Sequence, residues 1–321
     1  MNKNQIAFVF PGQGSQNLKM GKDIYDAFLP AKHVFEEVDE ALKFKLSNII
    51  FGEDEEALKK TENTQAALMA VSIATLRVIE AETGKKAKDL CGVMAGHSLG
   101  EYSALCAAGA ISLKETAIIL KKRGELMASS FREGGAMLAL IGVEASVVES
   151  IILKVLEGNE VLVIANDNSP GQIVISGNET AIEKARIEAL ACGAKIAVKL
   201  PVSGPFHSPL LKEAAEKMEE EIKKISIKQP EINIINNVDL EVYSSASQIA
   251  SILPKQITSK VRWRETMLKM EKELQIKKVF EIGAGKVLGG LFKRTSKEIS
   301  VVQTFDLPSV IKAIEELSLI K

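Results

Sequence analysis

Apolar residues along this chain alternate between unbroken short runs and helical repeats. Ile6-Ala7-Phe8-Val9-Phe10 is continuously apolar, as expected of a strand covered on both faces in a parallel sheet. Pro11-Gly12-Gln13-Gly14-Ser15-Gln16 ends it abruptly. Helical periodicity then runs from about Tyr25 to Leu46, broken near Pro30, and again from Thr64 to Ala81. A second apolar run, Leu90 to Ala95, enters Gly96-His97-Ser98-Leu99-Gly100, and a small-residue helical run, Glu101 to Ala110, leaves it. Ser112-Leu113-Lys114-Glu115 has the capping-box pattern and opens a helix to about Ser129.

From Gly134 the order changes. Ala136–Val143 reads as a strand, Glu144–Leu156 as a helix, and Val161–Ala165 and Gln172–Ser176 as two strands. Asn166-Asp167-Asn168-Ser169-Pro170-Gly171, dense in turn residues, is expected to join them. Glu179–Ala191 reads as a helix and Ala194–Leu200 as a strand, which completes a βαββαβ order of the ferredoxin-like kind. Leu211–Ile225 is then helical, Ile232–Asn236 a strand, Val261–Leu274 a helix, and Lys278–Ile282 a strand ending in Gly283-Ala284-Gly285. The expected fold is α/β: a large parallel-sheet unit, residues 1–130 and 200–321, with a ferredoxin-like subdomain inserted at 131–199.

Bulk composition narrows the classes. The 321 residues carry 41 Lys plus Arg and 42 Asp plus Glu, so no nucleic-acid or anionic-membrane partner is expected. Cys91, Cys106 and Cys192 are widely spaced and odd in number, which suits reduced thiols better than disulfides or a metal site. No apolar run approaches the roughly 18 residues of a membrane span, and the N-terminus lacks a signal-peptide pattern, so a cytoplasmic protein is expected.

The segment Gly96–Gly100 is G-x-S-x-G between a strand and a helix, the context of a nucleophile elbow. Ser98 is therefore the candidate nucleophile, and it needs a base. His33 lies in a glutamate-rich amphipathic helix and reads as a solvated residue. His97 adjoins Ser98 on a sharp turn, where neighbours point apart, and reads as a packing or hydrogen-bonding residue. His207, in Pro201-Val202-Ser203-Gly204-Pro205-Phe206-His207-Ser208-Pro209 where the chain rejoins the large unit, is the candidate base. Glu101 and Asp167 stand between Ser98 and His207, but neither stands in a recognisable triad motif, and a carbonyl can orient an imidazole equally well. Pro11–Gln16 fails G-x-G-x-x-G, since residue 17 is Asn. It serves either as a simple turn or as an oxyanion-hole donor beside the N–H of Leu99. In Lys121-Lys122-Arg123, a basic triplet that would ordinarily be a solvated face, Arg123 is set against Gly124, Leu126 and Met127 and is able to turn inward.

Taken together, Phe8–Gln16, Gly96-His97-Ser98-Leu99-Gly100-Glu101-Tyr102, Arg123-Gly124, Phe206-His207-Ser208 and Gly283-Ala284-Gly285-Lys286-Val287-Leu288 resemble, in order, the motifs of the acyltransferases that load malonyl groups in fatty acid and polyketide synthesis. The likeness covers Ile6 to about Thr304 and is to the stand-alone bacterial malonyl-CoA:acyl carrier protein transacylases. It implies Ser98 as nucleophile, His207 as base, the carbonyl of Gln256 as its orienter, and the N–H groups of Gln13 and Leu99 as oxyanion hole. It further implies that Arg123 pairs with the malonyl carboxylate, that Phe206 narrows the pocket against methylmalonyl, and that Asn166 is a polar residue near the cleft. Malonyl-CoA and holo acyl carrier protein are the implied substrates, with no bound cofactor or metal, and a monomer is expected. The stretch Lys260, Arg262, Arg264 and Lys269 is either a carrier-docking face or a solvated helix face. One departure from the family pattern is Ala66 after Asn63-Thr64-Gln65, where many members have Pro. A serine esterase or thioesterase and a non-catalytic carrier-binding scaffold are the alternative readings.

Overall fold

The computed structural model describes residues 2–130 and 134–320. Its strands are β1 (Ile6–Phe10), β2 (Val93–Gly96), β3 (Gly135–Ile141), β4 (Leu162–Ser169), β5 (Gln172–Asn178), β6 (Ile196–Lys199), β7 (Asn233–Ile235), β8 (Lys278–Ile282) and β9 (Ser300–Thr304). They form a five-stranded sheet in the order β7-β2-β1-β8-β9 and a four-stranded sheet in the order β4-β5-β3-β6. Every pairing in the first sheet is parallel and every pairing in the second is antiparallel.

β1 is buried throughout because it lies in the middle of the parallel sheet with helices on both faces. Its alternate side chains enter different cores. Ile6, Phe8 and Phe10 face the layer that contains the helices Thr61–Thr83, Leu29–Leu42 and Leu113–Ser129. Ala7 and Val9 face Trp263, Met267 and Phe292 on the other side. By length and composition Thr61–Thr83 matches a membrane-crossing helix, contrary to the reading of the bare sequence, but 89% of that window is buried inside the protein. It is the central helix of the larger core.

The antiparallel sheet has its own core. Leu138, Leu140, Ile173 and Ile175 pack on Val148, Ile151 and Ile182 from the helices Ala145–Val155 and Glu179–Ala191. The opposite face, with Met137, Ala165 and Val174, joins the main core instead. The order strand, helix, strand, strand, helix, strand matches the ferredoxin-like expectation. The first three residues of the expected subdomain, 131–133, lie outside the described residues.

The polar stretch expected to be a loop requires correction. Asn166 to Ser169 continue β4, and the turn is confined to Pro170-Gly171. Register shifts between Ile164 and Asn166 and between Asp167 and Ser169 accommodate the strand, and Asn166 also bridges Val261 of the large unit. These residues are polar because they meet a cavity and a second chain segment. Elsewhere the periodic run Tyr25–Leu46 is two helices, Lys22–Ala27 and Leu29–Leu42, with Pro30 in the first turn of the second. Several elements lie beyond what the patterning predicted, among them the helices Ala246–Gln256, Val287–Thr295 and Leu307–Ser318, and β9. The first contains Pro254, the second begins Val287-Leu288-Gly289-Gly290, and the third carries Pro308 at its start.

Candidate active site

Ser98 sits at a strained turn between β2 and the helix Leu99–Ala107, with φ 53° and ψ −109°. A left-handed backbone at a non-glycine residue persists only when its surroundings over-determine it. Here the N–H of His97 donates to the Phe10 carbonyl at 3.1 Å, and the N–H of Ser98 donates to Asn237 Oδ1 at 2.8 Å. The Asn237 amide in turn donates to the Gly96 carbonyl at 2.8 Å. A Cβ at Gly96 would overlap the Gly100 carbonyl, and one at Gly100 would overlap the Phe10 carbonyl oxygen. Glycine is required at both positions for the helix to start this close to β1.

His207 also has a positive φ, 57°, in the turn that follows Phe206. Its Nε2 lies 2.8 Å from Ser98 Oγ and its Nδ1 lies 2.9 Å from the main-chain oxygen of Gln256. A carbonyl only accepts, so the proton sits on Nδ1 and Nε2 is free to receive the Ser98 hydroxyl. Burial pushes the imidazole down to about 3, with the neighbouring Arg123 charge adding to the effect. The ring is therefore neutral.

Arg123 is 1% exposed and projects from the helix Leu113–Ser129. Its Nη1 donates to Gln65 Oε1 at 2.8 Å, and its Nη2 donates to Gln256 Oε1 at 2.7 Å and to Ser98 Oγ at 3.1 Å. The guanidinium also lies over the Tyr102 ring, 5.4 Å from its centroid. Its partners are thus neutral oxygens, and its Nε has no partner among the described residues. A buried guanidinium without a carboxylate contact is suited to receive one from a ligand.

These groups open onto a cavity of about 270 Å³ lined by Gln13, Leu99, Asn166, Phe206 and Met137, together with Ser98, Arg123 and His207. Among the described residues, the N–H groups of Gln13 and Leu99 make no hydrogen bond. Leu99 is the first residue of its helix, so its N–H points out of the helix N-terminus. Every residue that the sequence placed in the site borders this cavity except Gln256, which reaches it through Arg123, His207 and Ser98.

The acyl transferase domain family matches residues 7–315 of the chain. The malonyl CoA-acyl carrier protein transacylase of Bacillus subtilis is 42% identical over 315 residues, 98% of each chain. That of Escherichia coli K12 is 38% identical over 314 residues, 98% of this chain and 99% of the relative. The chain belongs to the acyl transferase family. Solved structures agree with this. An acyl-carrier-protein S-malonyltransferase from Bartonella henselae superposes with a TM-score of 0.95 at 44% identity, covering 99% of this chain and all of that one. A malonyl-transacylase solved in complex with its type II polyketide synthase acyl carrier protein superposes with a TM-score of 0.93 at 40% identity, covering 97% and 99%.

Within this acyl transferase site, three further residues escaped the sequence reading. Gln65 holds Arg123, Asn237 holds the elbow, and Glu101, fully buried, accepts from the N–H of Asn237 and the side chain of Gln256. Glu101 was visible as a carboxylate beside the elbow but matched no triad spacing. Asn237 lies two residues beyond the end of β7, which pairs with β2, at the carboxyl edge where α/β sites form, and that position was its one available signal. His97 behaves as a packing residue: its Nε2 lies 2.8 Å from Asn168 Oδ1 and its ring meets Trp263 edge-on. His33 is exposed. Each member of the basic stretch has a carboxylate partner. Lys260 and Arg262 pair with Glu265 at 3.8 and 2.5 Å, Arg264 with Asp167 at 2.7 Å, and Lys269 with Glu273 at 3.5 Å. That pairing leaves less positive charge to attract a carrier protein than the bare count implies.

Proposed function

We propose that this acyltransferase moves a malonyl group from malonyl-CoA to the phosphopantetheine thiol of acyl carrier protein through a malonyl ester on Ser98. The observation that carries this reading is the buried guanidinium of Arg123, whose Nη2 lies 3.1 Å from the Ser98 hydroxyl oxygen. A carboxylate paired with Arg123 lies close enough to bring its own thioester carbonyl up to Ser98, and malonyl has that short spacing. Relatives named as transacylases and an intact Ser98–His207 contact favour transfer over both an esterase and a non-catalytic scaffold.

His207 Nε2 takes the hydroxyl proton as Ser98 Oγ attacks the thioester carbon. The oxygen that becomes negative is held by the N–H groups of Gln13 and Leu99, and losing one such donor costs about 3 kcal/mol of barrier. Collapse breaks the C–S bond, and the departing CoA sulfur takes the proton back from His207. The carrier thiol then gives its proton to His207 and attacks the ester, and Ser98 leaves with that proton. Arg123 holds the free carboxylate through both halves. That pairing also offsets the positive charge that depresses His207, so substrate binding makes the base stronger. Phe206 and Asn166 shape the acyl end of the pocket, and Phe206 limits room for a branched methylmalonyl group. Only the two substrates take part, without a cofactor.

We read residues 1–130 and 200–321 as the catalytic unit and 131–199 as a small subdomain that covers its cleft. We place the protein in the cytoplasm, a reading that its three free cysteines support, and treat it as a monomer.

Arg123→Ala tests the reading. Malonyl transfer is expected to fall about 100-fold or more, and acetyl transfer by much less, because acetyl has no carboxylate to lose. Equal losses of both would remove Arg123 from substrate recognition.

A further inference from the structure

The carboxyl group of Glu101 is 0% exposed and touches neither Ser98 nor His207 directly. One oxygen accepts from the Tyr243 hydroxyl. The other accepts from Gln256 Nε2 at 2.7 Å and from the main-chain N–H of Asn237 at 3.0 Å. Gln256 thus stands between two partners of opposite and fixed character. A guanidinium can only donate, and Glu101 Oε2, although burial pushes its carboxyl up to about 7, already accepts the main-chain N–H of Asn237 and so meets Gln256 as an acceptor. The amide of Gln256 therefore has one orientation, with Oε1 toward Arg123 and Nε2 toward Glu101 and the Ser98 carbonyl, 3.1 Å away. With no acceptor in place of Glu101, nothing would oppose a flipped amide that sets its NH2 group against the guanidinium, donor against donor.

Gln256 is also the last residue of the helix Ala246–Gln256, so its main-chain oxygen is not used within the helix and is available to His207 Nδ1. One residue therefore supports both the group that receives the substrate carboxylate and the group that moves the proton. Asn237 adds a second route, because the N–H that binds Glu101 belongs to the residue whose side chain holds the Ser98 N–H.

We infer that Glu101 is a positioning residue for malonyl transfer: its carboxyl oxygens fix the Gln256 amide, and through it the Arg123 guanidinium that selects the acyl group. This rests on the reading of Arg123 given above. Glu101 acts as an acceptor in fixed geometry, and its effect on the choice of acyl group passes through Gln256; the Asn237 contact bears on Ser98 and so on both acyl donors alike.

The test measures Ser98 acylation rates from malonyl-CoA and from acetyl-CoA by intact mass, with thermal midpoints to confirm folding. In Glu101→Gln the side-chain oxygen can still accept from Gln256 and Asn237 while its NH2 donates to Tyr243. Malonyl-over-acetyl discrimination should stay within about threefold of the unsubstituted protein. In Glu101→Met the acceptor is gone, and discrimination should fall about tenfold, the scale of a hydrogen bond to a charged group. Gln256→Met should lose a similar factor, and Glu101→Met/Gln256→Met should lose no more than Gln256→Met alone, because the two act in series. Glu101→Met with a lowered thermal midpoint and full discrimination would make the role purely structural and overturn the inference. A tenfold loss in Glu101→Gln would overturn the acceptor argument. A double variant much less discriminating than Gln256→Met would overturn the route through Gln256. If Glu101→Met does not fold, Glu101→Ala, which removes the same acceptor with less bulk, replaces it in both the single and the double variant. Absence of malonylation in the unsubstituted protein would instead defeat the functional reading itself, and the inference with it.

Discussion

His207 illustrates how little of a side chain's chemistry its residue type determines. Burial of its ring, with the nearby Arg123 charge, pushes it down to about 3 from an ordinary 6.5, against the opposing effect of the Gln256 carbonyl that orients it. A folded-state value below the unfolded one means that the unfolded chain binds the extra proton first. This imidazole therefore contributes stability that is present above 6.5 and is lost as the pH falls toward 3. For activity the consequence runs the other way: the base stays unprotonated in mild acid. We expect kcat/KM for malonyl-CoA to remain level from about pH 7 down to about pH 5. A pH–rate series with half of the activity gone near 6.5 would contradict that environment. None of this could be read from a Phe-His-Ser tripeptide, although the identity of the base could, because the chain has only three histidines and the other two have plain structural surroundings.

At the level of elements, patterning succeeded where one periodicity ran without interruption. β1, the elbow strand β2 and the capped helix Leu113–Ser129 all carry such signals. It failed where proline or paired glycines sit inside helices, as at Pro254 and Gly289-Gly290, because packing there overrides local preference. It failed again at Asn166 to Ser169, whose polar side chains signal a turn but serve a cavity and a bridge to Val261. The elbow was legible because its geometry demands particular residues. Gly100 touches β1 so closely that a methyl group would overlap the Phe10 oxygen. Gly100→Ala should push the helix Leu99–Ala107 away from the sheet, destabilise the fold by about 2 kcal/mol and slow Ser98 acylation. An unchanged denaturation midpoint with an unchanged rate would show that the helix has room to spare.

Across the whole molecule, the site depends on two sheets holding a fixed relation. The N–H of Val261 donates to the Ala165 carbonyl at 2.8 Å, and the N–H of Asp167 donates to the Val261 carbonyl at 3.0 Å, so β4 is stitched directly to the large unit. Arg264 secures the same junction by a forked contact with Asp167 at 2.7 to 3.0 Å. Asp167 is buried, whereas Arg264 retains contact with solvent. Arg264→Met should therefore cost about 2 kcal/mol, less than breaking a fully buried pair, by leaving Asp167 without its charge partner. It should also raise KM for malonyl-CoA, since Asn166 borders the cavity one residue away. A chemical-denaturation curve and a KM both within error of the unsubstituted protein would mean that the backbone ladder alone holds the junction. The βαββαβ order was visible in the sequence, but this seam was not, because Asp167 and Arg264 are far apart in sequence and neither stands in a motif that points to the other.

Transfer through Ser98 requires a malonyl ester there that a carrier thiol discharges far faster than water does. Brief mixing with malonyl-CoA followed by intact-mass measurement addresses it directly. A single malonyl increment is expected, absent in Ser98→Ala and removed on adding holo acyl carrier protein. No increment, an increment that survives in Ser98→Ala, or one lost to water as fast as to the carrier would contradict it.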